Sequence, residues 1–390
     1  MKKQMILGFL ALSLFILGFM IFGCGTNPTG GGGTPTPVIH TIYSSTTEAP
    51  TDTTKGLVVE GTNVYVAFAT GASYPDKKLY FYKSTDEAVT LTLVTKEASN
   101  VNKCVRAAMT SGNVLKIHYA QYDGSDHIGT STINTVSGIS FETSLDPAGT
   151  YKAACVDIAS CDDKSKYTVS FTDIYLDYND TWYSYSGGVS TNDPLFDLHG
   201  ALNEGGLAIQ MPYTSTVEGV VVDHYTITGT SELFFHIWPD IPSGSRTKTL
   251  LSSSSTSTEA IKNIDLVADA NFSMVSFYKG GSIYAKYSDD TGATWTSDTL
   301  AASDAFDDLT SIAQTTSNSY IVYTADGGKD ICLAKSADGT TWSTKTIVSL
   351  TAGGMKYPEI KCTDDTIYII YHTSTGVYLL KSADEGATWI

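Results

Sequence analysis

Aspartates and tyrosines gather at two places in this chain where they could do chemistry. One is Tyr122-Asp123, followed by Gly124-Ser125-Asp126-His127, and the other runs from Asp173 through Tyr175, Asp177 and Tyr178 to Asp180. A tyrosine ring offers a flat apolar face with a polar tip. A sugar can lay its C–H face on such a ring while neighbouring carboxylates accept its hydroxyl protons. Tyr122, Asp123, Asp173, Tyr175, Asp177, Tyr178 and Asp180 are therefore the candidate ligand-binding residues. Paired carboxylates can also run glycoside hydrolysis, their separation deciding inversion or retention. Aspartate and asparagine oxygens suit calcium as well, but no segment has the spacing of an EF-hand loop, so neither a metal nor a cofactor is assigned. The competing explanation for all of these residues is turn-making, which also draws on Asp and Asn. There is no serine elbow, phosphate-binding glycine loop or His-x-x-x-His pair, and no residue is assigned a catalytic role.

Charge narrows the partners. The 390 residues carry 24 Lys and Arg against 41 Asp and Glu, a net charge of −17. That balance disfavours nucleic acid and anionic membrane surfaces as partners. At the N-terminus, Lys2 and Lys3 precede an apolar run from Met5 to Phe22, then Ile21-Phe22-Gly23-Cys24. This arrangement resembles the signal peptide and lipobox of bacterial lipoproteins. The resemblance implies cleavage after residue 23, lipid on Cys24, and an exported protein anchored to the bacterial cell membrane or outer membrane. An uncleaved anchor helix is the alternative. Residues 24–37 are rich in Gly, Pro and Thr and read as a flexible tether. Of the remaining cysteines, Cys104, Cys155, Cys161, Cys332 and Cys362, the spacing favours a Cys155–Cys161 pair.

Internal repetition decides the architecture. Ser288, Asp290, Gly292, Thr294 and Trp295 form one copy of a short pattern. Ser336, Asp338, Gly339, Thr341 and Trp342 form a second copy, one residue shorter, and Ser382, Asp384, Gly386, Thr388 and Trp389 a third. The tryptophans recur about 47 residues apart. Each residue type suits a hairpin turn: the carboxylate accepts turn N–H groups, glycine supplies a positive φ, and tryptophan packs a large face between sheets. These segments resemble the Asp box of BNR-repeat proteins in the sialidase-like superfamily. The resemblance implies a β-propeller.

Around each box lie strand-like runs, such as Phe272–Tyr278, Ile283–Tyr287 and Thr344–Leu350, four per unit. Ser84-Thr85-Asp86-Glu87-Ala88-Val89-Thr90 is a degraded box, and Gly138–Phe141 keeps only a tail. Runs at 167–171, 182–185, 206–211, 220–227 and 232–238 leave room for two blades without a box. The expectation is all-β: residues 38–390 form a single propeller of four-stranded antiparallel blades, seven in number, with six as the alternative. The last box is followed only by Ile390, so Val38–Tyr43 is expected to complete the final blade and close the ring.

The resemblance also raises sialidase activity, which requires three arginines on the substrate carboxylate. The chain has two, Arg106 and Arg246, and sialidase is excluded. The loops joining second and third strands, on the face opposite the boxes, are the expected ligand site. They are read at 74–76, 122–127, 173–180, 212–213 and 326–330. His118 and His372, at matching second-strand ends, are candidates for the channel mouth or ordinary polar strand ends. The functional expectation is a monomeric, non-catalytic surface module that binds a glycan or protein partner. A glycoside hydrolase or lyase acting on neutral polysaccharide is the alternative.

Overall fold

The computed structural model describes residues 37–390 except 52–53, 72–77, 99–100, 123–125, 135–137, 143–152, 161–166, 174–177, 186–195, 200–206, 214–215, 226–229, 239–246, 257–258, 270, 307–309 and 352–353. The described residues form seven sheets, antiparallel except where Thr54–Lys55 pairs parallel with Val101–Thr110, and no α-helix. The sheets are blades of one ring. Their innermost strands are Leu57–Glu60, Val101–Thr110, Ala153–Ser160, Leu207–Tyr213, Lys262–Asp269, Ser311–Gln314 and Lys356–Thr363, for blades 1 to 7. Each innermost strand packs beside the next, and Lys356–Thr363 packs against Leu57–Glu60 to complete the circle.

His40–Ser44 is the outermost strand of blade 7. It pairs antiparallel with Gly376–Ser382, His40 opposite Leu379 and Ser44 opposite Gly376. Ile42 and Tyr43 are buried there with Phe68, Tyr80, Ile370 and Leu379. The expected closure by the N-terminal strand is thus the one observed, and seven, not six, is the blade number. The two blades without boxes are blades 3 and 4. Their strands at Tyr167–Asp173, Tyr178–Tyr185, Leu207–Tyr213, Thr216–Tyr225 and Thr230–Trp238 enclose most of the apolar runs expected there.

The boxes follow the third strand of their blades, in blades 1, 5 and 6 as the hairpin to the fourth, and share one hydrogen-bond scheme. In blade 5, Ser288 Oγ donates to Asp290 Oδ1 at 2.8 Å. Asp290 accepts the Thr294 N–H at 2.8 Å and the Thr294 hydroxyl at 2.7 Å, and Gly292 N–H donates to Ser288 Oγ. Blade 7 repeats this with Ser382, Asp384, Gly386 and Thr388. The degraded copy in blade 1 keeps it intact through Ser84, Asp86 and Thr90. There Ala88 adopts φ 69° where the other boxes have glycine. The hydrogen bonds hold the box carboxyls low: Ser84 and Thr90 bring Asp86 to about 2, and Thr388 and Ser382 do the same for Asp384.

Each box packs on the preceding blade. A Cβ at Gly292 would lie 2.1 Å from the Phe235 ring of blade 4, and Trp295 meets that ring edge-on at 4.8 Å. Gly339 sits against Met274 and Tyr287 of blade 5, and Gly386 against Leu333 of blade 6. A lysine just before the serine reinforces two of these seams. Lys335 of blade 6 meets Glu385 of the blade 7 box at 3.0 Å, and Lys381 of blade 7 meets Glu87 of the blade 1 box at 2.6 Å. The shortened box of blade 6 lacks the residue matching Glu87 and Glu385, and blade 5 has Tyr287 where that lysine would stand. Acid and base are lost together.

Candidate ligand-binding face and the closed channel

The centre of the ring is lined by a repeated register position that recurs about every fifty residues. It is Gly56, Arg106, Asp157, Ala208, Asp265, Ser311 and Glu359 in blades 1 to 7. Acids stand in blades 3, 5 and 7, and each is followed by a small residue in the next blade. The reason is a bond across the seam. Asp157 Oδ2 accepts the Ile209 N–H, Asp265 Oδ2 the Ile312 N–H and Glu359 Oε2 the Leu57 N–H, each at 2.9 Å. A side chain at Gly56 would collide with the Ala67 carbonyl, its Cβ 2.0 Å away. Seven is odd, so strict alternation cannot close. Blade 2 breaks it with Arg106, whose Nε lies 3.7 Å from Asp157 and whose guanidinium donates to the Val105 carbonyl.

Lys55, one residue before Gly56, makes an ion pair with Asp265 of blade 5, which is not a neighbour of blade 1 in the ring. Both side chains are buried. Burial alone would raise the Asp265 carboxyl, but the Lys55 and Lys361 charges with the accepted hydrogen bonds outweigh it and hold it low. Glu359 is less compensated. It is fully buried, its Oε1 has no partner among the described residues, and burial pushes it up to about 7. Glu218 of blade 4, which accepts the Ser273 hydroxyl of blade 5, is likewise raised to about 7 by burial. The channel is therefore crossed by an ion pair, and its carboxylates are engaged with main-chain N–H groups.

His118 and His372 belong to this interior. Both are 1 % exposed, and burial lowers each to about 3, so they are neutral imidazoles in the protein core. His372 packs edge-on to Phe68 and Tyr357. Of the two arginines, Arg106 is held within the channel wall and Arg246 lies outside the described residues. Among the described residues no group of three or more His, Cys, Asp or Glu is placed to hold a metal.

The hairpins between second and third strands lie on the face opposite the boxes. In blades 5, 6 and 7 these are Gly280-Gly281, Asp326–Lys329 and Ser374-Thr375. Pro212-Tyr213 was expected on the same face, but the structure places it at the end of an innermost strand, with Tyr213 opposite Thr216. It therefore belongs to the box-bearing face; the strand simply runs further than its apolar residues. Tyr122 and Asp173 end second strands at the expected face. Tyr178 and Asp180 are third-strand residues, opposite His199 and Asp197, and not loop residues. The alternation Tyr-Asn-Asp-Thr-Trp-Tyr extends that strand backwards from the run read at Trp182. Asp123, Tyr175 and Asp177 lie outside the described residues, as do Cys24 and Cys161. Cys332 and Cys362 are free thiols.

One aromatic on this face escaped the sequence reading. Phe306, between blades 5 and 6, is 42 % exposed. A lone phenylalanine flanked by Ala305 and aspartates carries no periodic signal that would have singled it out.

Sequence comparison finds no matching family and no matching curated protein. Solved structures do match in shape. An ulvan lyase, described as a new family of polysaccharide lyase, aligns at a TM-score of 0.60 with 10 % identity, over 88 % of this chain and 96 % of the other. A fucose-recognising lectin from Aleuria aurantia, a six-bladed β-propeller, aligns at 0.51 with 10 % identity, over 80 % of this chain and 100 % of the other. The β-propeller domain of a Pyrococcus furiosus protease aligns at 0.50 with 10 % identity, over 86 % and 95 %. This chain is a β-propeller. At such low identity the likeness speaks for the fold alone, and the activity has to be argued from the residues.

Proposed function

We propose that this propeller is an exported, lipid-anchored surface module that binds a glycan through the face opposite the Asp boxes and does not cleave it. The observation that carries the reading is the engagement of the innermost carboxylates. A hydrolase or lyase needs reactive groups facing a solvent-filled cleft, with a raised acid beside a free base. Here Asp157, Asp265 and Glu359 are buried and bonded to the main chain of the next blade. The likeness to a fucose-recognising lectin and to an ulvan lyase supports carbohydrate as the ligand class. The net charge of −17 favours neutral over acidic sugars.

The test is a glycan array on the purified chain, run beside assays for new reducing ends and for the ultraviolet absorbance of unsaturated uronate products. Binding without product formation is expected. New reducing ends from a neutral polysaccharide would replace this reading with a hydrolase, and ultraviolet-absorbing unsaturated products from a uronate polymer would replace it with a lyase. Anchoring at Cys24 is checked separately, by mass spectrometry of the N-terminal peptide from wild type and Cys24→Ser.

A further inference from the structure

Among the residues whose side-chain exposure is described, Phe306 is the one exposed aromatic. A single exposed ring is ordinary on a protein surface; what singles this one out is its fixed setting and the polar groups beside it. Phe306 is also held in place. Its N–H donates to the Thr324 carbonyl at 2.8 Å, and Ala305 bridges to Ala325, so the backbone on which the ring stands is stitched to the second strand of blade 6. Phe306 stands close to Gly328, where a Cβ would be 3.8 Å from Phe306 Cδ1 and 3.1 Å from the Met355 carbonyl. Glycine at 328 therefore lets the ring and the blade 7 backbone approach the hairpin from two sides.

The same hairpin supplies a polar rim. Asp326, Gly327 and Gly328 take φ values of 47°, 67° and 78°, which turn the chain tightly and place Asp326 and Lys329 together at its tip. Their side chains pair at 3.0 Å and remain largely exposed. A surface pair of this kind adds little to stability, so both groups can exchange their mutual contact for a ligand's hydroxyls.

We infer that Phe306, with Asp326 and Lys329 beside it, forms a sugar subsite between blades 5 and 6 that takes a neutral pyranose, its C–H face stacked on the ring. This rests on the glycan-binding reading and locates it. An aromatic plane binds the apolar face of a hexose or 6-deoxyhexose, while the carboxylate accepts and the ammonium donates hydrogen bonds at the sugar's edge. With one group of each sign, the rim gives a charged sugar no net attraction.

The experiment titrates the full chain with methyl glycosides of neutral hexoses and 6-deoxyhexoses, and with galacturonate, following binding by NMR. Phe306→Ala should weaken the neutral sugars by about tenfold or more, and Phe306→Trp should keep affinity within about threefold. Melting curves are recorded alongside. If Phe306→Ala alters the melting temperature, Lys329→Ala, at an exposed position without a positive φ, carries the test, with weaker binding again expected. Unchanged affinity in the variants, with wild type binding well, overturns the Phe306 subsite and leaves glycan binding standing. Preference for galacturonate overturns the neutral class. Absence of any binding by wild type overturns both readings.

Discussion

Two turn glycines, Gly292 after a third strand and Gly327 between second and third strands, show how one residue can answer to one demand or to two. Gly292 needs both a positive φ of 81° and room for the Phe235 ring. Gly327 needs only the positive φ, of 67°, with nothing within 4 Å of where its Cβ would be. The two demands are separable by substitution. Gly327→Ala should cost about 1 kcal/mol in urea unfolding, the penalty of a left-handed non-glycine residue. Gly292→Ala should cost about 2–4 kcal/mol, because overpacking against a buried ring is added. Equal losses at the two sites would show that packing on Phe235 contributes nothing.

At the scale of strands and blades, the ring depends on joining its ends. The outermost strand of blade 7 is His40–Ser44, more than three hundred residues away along the chain from the strand it pairs with. Removing residues 38–45 would expose the edge of Gly376–Ser382 and uncover Phe68, Tyr80 and Leu379, now packed with Ile42 and Tyr43. The melting temperature should fall markedly, by about 4 °C or more, and the exposed edge should promote association. A melting curve matching wild type would contradict the closure. This strand was legible in the sequence because Val38–Tyr43 reads like the runs after the complete boxes. Blades 3 and 4 were legible only as strand runs, because they lack the turn pattern that marks the others.

For the molecule as a whole, the buried charges of the channel set two expectations. Lys55→Met would leave Asp265 buried without its cation and should cost about 3–5 kcal/mol. Adding Asp265→Leu should recover part of the loss but not all, since the Ile312 N–H would then lose its acceptor. Full additivity of the two single losses would show that the residues do not interact. The second expectation concerns pH. Glu359 and Glu218 titrate near 7 when folded, above their ordinary 4.5. Between those values the folded state binds more protons than the unfolded, so stability declines as pH rises through about 7. The box aspartates act oppositely: Asp86 and Asp384, held near 2, favour folding above 3.8 and lose that contribution as pH falls towards 2. Buried neutral His118 and His372, near 3 against an ordinary 6.5, offset the glutamates between pH 4.5 and 6.5. The melting temperature should therefore climb to about pH 4.5, stay nearly level to about 6.5 and decline from there towards pH 7. Glu359→Gln should turn the level stretch between about pH 5 and 6.5 into a rise, and a profile identical to wild type would refute the assignment.

By itself the sequence determined the fold class, the turns built on serine, aspartate and threonine, and the strand that closes the ring. Those are local matters of turn chemistry and strand alternation, repeated often enough to be read. It also excluded a three-arginine site, which is a matter of counting. What only the tertiary structure decided is how residues about fifty positions apart come together. The alternation of acids and small residues at Asp157, Ala208, Asp265, Ser311, Glu359 and Gly56 has no meaning along the chain. It acquires one when each innermost strand lies beside the next and a carboxylate can reach the neighbouring N–H. The same holds for Lys55 and Asp265, which meet across the ring, and for Phe306, whose exposure depends on the hairpin that folds beneath it.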